Sequence, residues 1–132
     1  MWEIKSYVLD DGADVIESWF SQNSATRYVR LQVKLVTRML YLRDQPTPPQ
    51  WVGPCFHFLS GARGIGAITL EVNNIQYRPL GFFGPNAQEF TFLYFATEKG
   101  GKYLPSGCVE SAVSRSEIVK ADPNRAIKSK RF

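Results

Sequence analysis

The stretch "AITLEVNNIQYRPLGFF", residues 67–83, decides the fold because apolar and polar side chains alternate on both sides of an Asn-Asn pair. A period of two is typical of a β-strand that is covered on one face. Asparagine tolerates the positive φ angles of a two-residue turn, so Asn73 and Asn74 predict a β-hairpin. The register of this hairpin sets Thr69 opposite Arg78 and places both side chains on its polar face.

Pro79 interrupts the second strand of this hairpin directly after Arg78. Proline has no backbone N–H to donate to a neighbouring strand. We therefore expect either an edge position for this strand or a β-bulge beside Arg78.

Helices and further strands are predicted on both sides of the hairpin, and together they give an α+β fold. Strands are predicted at 1–9 and 89–98, helices at 10–23, at 25–44 with Ser24 as its N-cap, and at 108–122. The segment 51–64 is predicted to be a loop or an irregular extended segment, and 99–107 to be a flexible loop. We assign residues 1–120 to a single domain and residues 121–132 to a basic C-terminal tail.

The composition, with 44% apolar and 21% charged residues among 132, is typical of a soluble globular domain. No apolar run approaches the ~20 residues that span a bilayer, and the first residues lack the pattern of a secretory signal. Cys55 and Cys108 are too few for a disulfide framework, which favours free thiols in the cytoplasm. With only one histidine in addition, we expect no metal site, and we expect no cofactor and no membrane partner.

The net charge of +4 is unevenly distributed, because the long predicted helix carries basic residues and no acidic residue between positions 25 and 43. At about 100° per residue, four of these side chains fall within a sector of about 80°. They are Arg27, Arg30, Lys34 and Arg38. This ridge is suited to a polyanion, either ribosomal RNA or an acidic partner protein, or else it is a solvated helix face.

Four strings in order resemble the RelE/ParE superfamily of type II toxin–antitoxin toxins, in particular its phage-derived RelE-like (HigB-like) branch. The resemblance covers residues 1–120. The strings are "GARGIGAITLE" at 61–71, "QYRPLGFF" at 76–83, "FTFLYFATEKGGKYLP" at 90–105 and "ESAVSRSEI" at 110–118.

The resemblance implies a RelE-like fold, in which a twisted, mainly antiparallel sheet packs against two N-terminal helices and a C-terminal helix follows. It also implies a cognate antitoxin that wraps the toxin and covers its active surface. Many members of the superfamily are endoribonucleases (mRNA interferases) that cut mRNA on the ribosome and so inhibit translation, whereas the ParE branch poisons DNA gyrase.

RNA cleavage of this kind requires a proton acceptor for the 2′-hydroxyl, a proton donor for the leaving oxygen and positive charge at the phosphate. The guanidinium of Arg78 suits the last role, although an ion pair with Glu71 across the hairpin is the structural alternative. Lys99 and Lys102 flank two glycines and are candidates for phosphate binding, Lys99 as part of the catalytic set, or else they belong to a solvated loop. Glu98 is a candidate base, or else an ion-pair partner for these lysines.

Further candidate RNA contacts are spread along the chain. Arg63 lies between glycines that permit close approach of a ligand, and Tyr103 can stack on a base, donate a proton or simply pack. His57 lies between two phenylalanines, which favours a packing role. Arg115 matches the arginine of the family's last helix, where it either braces the fold or contacts RNA.

Two departures from the family pattern keep a second hypothesis open. Thr69 stands where the branch usually has an arginine, and no tyrosine or histidine follows residue 103. The alternative is a catalytically weak or inactive relative that inhibits another target, such as DNA gyrase. An unrelated basic nucleic-acid-binding domain is a third possibility.

Overall fold

The computed structural model describes residues 1–23 and 25–132, with Arg27 described by its backbone alone. The predicted cap Ser24 and the side chain of Arg27 therefore lie outside the described residues. The described α-helices are α1 (Val15–Gln22), α2 (Val29–Arg43), α3 (Pro48–Trp51) and α4 (Cys108–Ala121). The described strands are β1 (Glu3–Tyr7), β2 (Phe56–Phe58), β3 (Ile65–Ile68), β4 (Leu70–Val72), β5 (Ile75–Phe83), β6 (Glu89–Lys99), β7 (Lys102–Leu104) and β8 (Ala126–Lys128).

These strands form one open sheet in the order β2-β3-β5-β6-β1-β8, with β4 beside β5 and β7 beside β6. β1 runs parallel to β6, and every other pair of described strands is antiparallel. The prediction of an α+β fold with a mainly antiparallel sheet is confirmed. The parallel pair arises because α1, α2 and the whole hairpin separate β1 from β6 along the chain.

The central hairpin has the predicted register, with Leu70 opposite Tyr77 across the turn. Asn73 and Asn74 adopt φ angles of 52° and 64°, as a two-residue hairpin turn requires. The local sequence pattern was sufficient here because the turn alone fixes which residues pair.

Of the two expectations for Pro79, the edge position is wrong, whereas an irregularity of the β-bulge kind is present close to Arg78. β5 lies inside the sheet between β3 and β6, and a shift in its register with β6 falls between Leu80 and Gly81, directly after the proline. On the other side of β5, Thr69 interrupts the pairing and belongs to neither β3 nor β4. Its N–H donates instead to the carbonyl of Cys55, at 2.9 Å. These irregularities on both sides accommodate a proline within a central strand.

The segments 51–64 and 99–107, for which no regular strand was predicted, each contain one. The segment 51–64 includes β2, which pairs with β3 at the edge of the sheet. The segment 99–107 includes β7, which folds back on β6 through a turn at Gly100 and Gly101, with φ angles of 59° and 77°. Sequence pattern does not identify such three-residue strands, since their partners and not their periodicity determine them.

The C-terminal segment 121–132 is integrated into the sheet, because β8 pairs with β1. Arg125 donates to the carbonyl of Val8 at 2.9 Å and to Asp10 at 3.0 Å. Arg131 forms two hydrogen bonds with Glu17, at 2.9 and 3.0 Å. The basic C-terminal residues therefore neutralise part of the acidic N-terminal region.

One face of the sheet carries a cluster of aromatic rings, centred on Phe83. The ring of Phe83 lies 4.9 Å from that of Trp2, 5.0 Å from Trp51, 5.1 Å from Phe90 and 5.6 Å from Phe56, measured between ring centroids. These rings meet mostly edge to face, the arrangement that aromatic quadrupoles favour. α3 therefore contributes to the core through Trp51, which is 1% exposed.

The opposite face of the sheet is covered by α4. Phe82 neighbours Phe83 in β5, so the two rings point to opposite faces. Lys120 of α4 lies 5.9 Å from the ring of Phe82, and Arg115 of the same helix donates to the carbonyl of Leu93 at 2.7 Å. Leu93 is the residue of β6 that the register shift leaves without a partner in β5. Arg115 thus satisfies a carbonyl at the bulge.

Two glycines leave room for aromatic rings of the core to pack directly against the backbone of the sheet. Gly66 of β3 lies opposite Gly81 of β5. A Cβ atom at Gly66 would lie 2.1 Å from Cζ of Phe56, and one at Gly81 would lie 2.5 Å from Cζ of Phe90. Because Phe56 and Phe90 are fully buried, neither ring has room to withdraw.

We therefore expect Gly66→Ala to lower the free energy of unfolding by about 1–3 kcal/mol, the usual effect of overpacking a core. Urea denaturation measures this change. Gly53→Ala is the matched control, since nothing lies within 4 Å of a Cβ atom at that position. Equal stability of the Gly66 variant and the wild type would contradict the packing described for Phe56.

Candidate active site

Arg78 lies within a dense network of hydrogen bonds on β5. Its Nε donates to Oε1 of Glu98 at 2.8 Å, its Nη2 to Oε1 of Gln76 at 2.9 Å and its Nη1 to the carbonyl of Tyr77 at 2.9 Å. The side chain is only 11% exposed, although the hairpin pattern placed it on the polar face, because neighbouring side chains cover it. Most of its donors are already occupied, so what Arg78 can offer a nearby anion is mainly its fixed charge.

The ion-pair partner of Arg78 is Glu98. The structural alternative had predicted Glu71 instead. The register of β5 with β6 sets Arg78 opposite Ala96, whose small side chain leaves room for the guanidinium to reach Glu98 diagonally. Glu71 instead accepts a hydrogen bond from Gln76.

Tyr103 and His57 lie next to this network. Tyr103 lies opposite Glu98 in the hairpin formed by β6 and β7. Its hydroxyl is 3.2 Å from Nε2 of His57, which β2 supplies. Burial raises the pKa of the Tyr103 phenol, and the carboxylate of Glu98 adds to the rise, while the Arg78 guanidinium opposes it. Tyr103 is therefore a neutral hydrogen-bond donor over the whole physiological range.

These side chains border a cavity of about 480 Å³. Its walls come from β2 and the residues after it, from the β6–β7 hairpin and from the first turn of α4. The lining residues are His57, Phe58, Leu59, Ser60, Glu98, Tyr103 and Val109. The cavity brings an imidazole, a phenol and a carboxylate together beside a guanidinium, which is a set suited to proton transfer at an anionic substrate.

The alternation of residues in β2 could have predicted that His57 faces away from the aromatic cluster. Phe56 and Phe58 contact each other and the ring of Phe83, with the ring of Phe56 buried in the aromatic cluster. Since neighbouring side chains in a strand point to opposite faces, the imidazole between them leaves that cluster. What the sequence did not reveal is the contact with Tyr103, which depends on β7 being a strand.

The lysines predicted to bind phosphate do not line this cavity. Lys99 and Lys102 are exposed and lie opposite each other at the tip of the β6–β7 hairpin. The alternation along these strands places them on the face opposite to Glu98 and Tyr103.

The predicted arginines are also separated from this cavity. Arg63 is exposed and borders a second, smaller cavity. Arg115 lies between the rings of Tyr7 and Tyr94, with its guanidinium carbon 5.1 and 4.9 Å from their centroids, which together with its bond to β6 indicates a bracing role.

The basic ridge of α2 is partly engaged with the neighbouring sheet. Nζ of Lys34 donates to the carbonyl of Glu71 at 2.8 Å, and Arg38 donates to the carbonyl of Thr69. Arg30 is exposed. The ridge therefore fixes α2 against β4 as well as presenting charge to solvent.

Among residues 1–23 and 25–132, no three His, Cys, Asp or Glu side chains come together to hold a metal ion. No helix within the same residues has the length and apolarity that a membrane crossing requires. No protein-family model, curated protein or solved structure matches the chain.

The raised pKa of Tyr103 predicts a change of stability at alkaline pH. The unfolded phenol loses its proton near pH 10, whereas the folded phenol holds it to higher pH. The contribution of this group is therefore fully present below about pH 10 and is lost as the pH rises through the folded pKa. Tyr103→Phe should reduce this alkaline loss in urea denaturations compared between pH 8 and 11. Tyr41→Phe, at an exposed position on α2, is the control, and equal slopes for wild type and Tyr103→Phe would contradict the assignment.

Proposed function

We propose that this protein is a RelE/HigB-like toxin of a type II toxin–antitoxin system that acts in the cytoplasm as a metal-independent, ribosome-dependent endoribonuclease (mRNA interferase). The observation that carries the proposal is the convergence of His57, Tyr103 and Glu98 at one cavity, with Arg78 bound to Glu98 beside it. The order of two helices, a central hairpin and a terminal α4 in an α+β fold is also consistent with a RelE-like arrangement.

The four side chains supply each function that cleavage of RNA by its own 2′-hydroxyl requires. The imidazole of His57 accepts the proton of the 2′-hydroxyl as its oxygen attacks the phosphorus. The O2′–P bond forms and the P–O5′ bond breaks, which gives a 2′,3′-cyclic phosphate and a 5′-hydroxyl. Tyr103 donates its proton to the leaving O5′, and the charge of Arg78 stabilises the crowded phosphate.

Glu98 positions this machinery. Its carboxylate holds the guanidinium of Arg78 at 2.8 Å and favours the protonated form of Tyr103 through its charge. We therefore assign Glu98 to positioning and not to the role of base. This assignment also explains why the glutamate is compatible with an anionic substrate: its charge is offset by Arg78 before RNA binds.

A cavity larger than the one at His57 lies elsewhere, along the outer face of α2, and it supports the proposed partnership with an antitoxin. It measures about 960 Å³ and exposes Val29, Val33 and Tyr41 by 51%, 58% and 58%. Arg30 and Lys34 border the same groove. Apolar side chains flanked by positive charge suit an acidic, amphipathic segment, whereas RNA phosphates gain little from valines. The proposed occupant is therefore an acidic helix of the cognate antitoxin.

Loss of either proton-transfer group should lower cleavage strongly. His57→Gln and Tyr103→Phe should each reduce cleavage of mRNA on purified ribosomes by about 10²–10⁴-fold, the usual contribution of general acid–base catalysis. Primer extension along the message measures the cleavage. Glu110→Gln, an exposed change on α4 outside the cavity, should retain full activity. Expression of Arg78→Ala should no longer arrest growth, provided that circular dichroism shows it folded.

Two outcomes would overturn the ribonuclease proposal. If expression of the wild-type protein leaves growth and message length unchanged, the protein is no mRNA interferase. If growth stops while messages stay intact and gyrase-linked DNA breaks accumulate, the alternative of a gyrase inhibitor holds.

The proposed antitoxin groove has its own test. Val33→Asp places a negative charge in the groove and should weaken the complex with the protein encoded by the neighbouring reading frame at least tenfold, by isothermal titration calorimetry. Val52→Asp is the matched control, since Val52 is similarly exposed at 50% but lies outside the groove. If the Val33 variant binds that protein normally but loses affinity for ribosomes, the groove contacts ribosomal RNA instead.

A further inference from the structure

A second cavity of about 250 Å³ adjoins the candidate active site, and the two share one wall, the ring of Phe58. On its far side this cavity is bordered by Phe82, Arg63 and Lys120. It therefore combines aromatic surface with two cationic side chains that come from different elements of the fold. None of the catalytic groups described above lines it.

Phe58 is both exposed and held in place. Its ring is edge-to-face with Phe56 at 5.2 Å and lies 6.0 Å from Phe83, so the aromatic cluster supports it from one side. The residue is nevertheless 44% exposed. An aromatic ring that is packed against the core on one side and exposed to solvent on the other is the type of surface on which proteins stack unpaired bases.

The charges around this cavity suit a phosphate next to such a base. Arg63 is exposed and forms no ion pair within the described residues. Lys120 forms one contact of 3.5 Å with Glu117, and both side chains are more than half exposed, so this pair opens at little cost. A base that stacks on a protein ring must be unpaired, so such a site suits single-stranded RNA.

We infer that this second cavity is a binding subsite for the nucleotide that flanks the cleaved phosphate. The base of that nucleotide stacks on Phe58, and its phosphate contacts Arg63 and Lys120. The inference rests on the proposed function, because it takes the cavity at His57 and Tyr103 as the place of the reacting phosphate. It makes Phe58 a residue that aligns the RNA strand without touching the reacting atoms.

The test uses trinucleotide RNAs that are 2′-O-methylated at every position, so that binding is measured without cleavage. Binding is followed by NMR chemical shifts of the protein. Phe58→Ala should weaken binding about 5- to 150-fold, the measured range for losing one stacked base. Ile127→Ala, an exposed apolar change on β8 away from both cavities, should bind as the wild type does. Arg63→Gln should lower the dependence of affinity on salt by about one charge.

Abasic trinucleotides separate stacking from any structural effect of the substitution. Removing the flanking base from the RNA should weaken binding to the wild type by the same factor as Phe58→Ala, and should have no further effect on that variant. If Phe58→Ala weakens intact and abasic RNA equally, or weakens neither, the subsite is disproved.

These experiments can disprove the subsite and the proposed function independently of each other. A wild-type protein that shows base-dependent binding at Phe58 but cuts no message would retain the subsite and lose the ribonuclease function. A protein that cuts messages equally well with Phe58→Ala, and binds the trinucleotides equally well, would retain the function and lose the subsite.

Discussion

The antiparallel pairing of β5 with β6 is the constraint on which both the core and the candidate site depend. At one end of this pair, the register brings Phe83 and Phe90 together beneath α3 and so centres the aromatic cluster. At the other end, it places Arg78 opposite a small residue and within reach of Glu98. The shift of register between these ends frees a carbonyl that α4 binds. One strand pair thus positions a helix on each face of the sheet and the charged centre of the site.

The distribution of positive charge illustrates why net charge alone is a poor guide to an RNA-binding surface. Several basic residues, on β5, α2, α4 and the C-terminal segment, donate to backbone carbonyls or carboxylates of the protein itself. These charges hold elements together and contribute less to attracting a polyanion. The exposed positive charge that remains beside the cavities includes that of Arg63, so the local field there matters more than the total of +4.

The sequence was informative wherever structure is set by neighbours along the chain. The hairpin register, the apolar central strand and the three longer helices follow from periodicity and turn residues. The bounds of α4 were predicted to within one residue, whereas α1 and α2 begin five and four residues later than predicted. The short strands β2, β7 and β8 were missed because pairing with distant residues stabilises them. The site depends on two of these strands: His57 and Tyr103 are 46 residues apart, and no local pattern joins them. Glu71 was considered as the partner of Arg78 because it is a neighbour within the hairpin. Glu98 was not considered, because only the pairing of strands brings it close.

The position of β1 has a consequence for how the chain assembles. Both of its neighbours in the sheet, β6 and β8, lie after residue 88, so the first strand to be synthesised has no strand to pair with until most of the chain exists. The β5–β6 unit, by contrast, is complete by residue 99 and is joined by a short turn. Closing a loop over such a distance costs conformational entropy before any stabilising contact forms. Docking of β1 is therefore late and slow. Until then its apolar side chains and both of its edges are open to other chains, so aggregation competes with folding most strongly at the N-terminal strand.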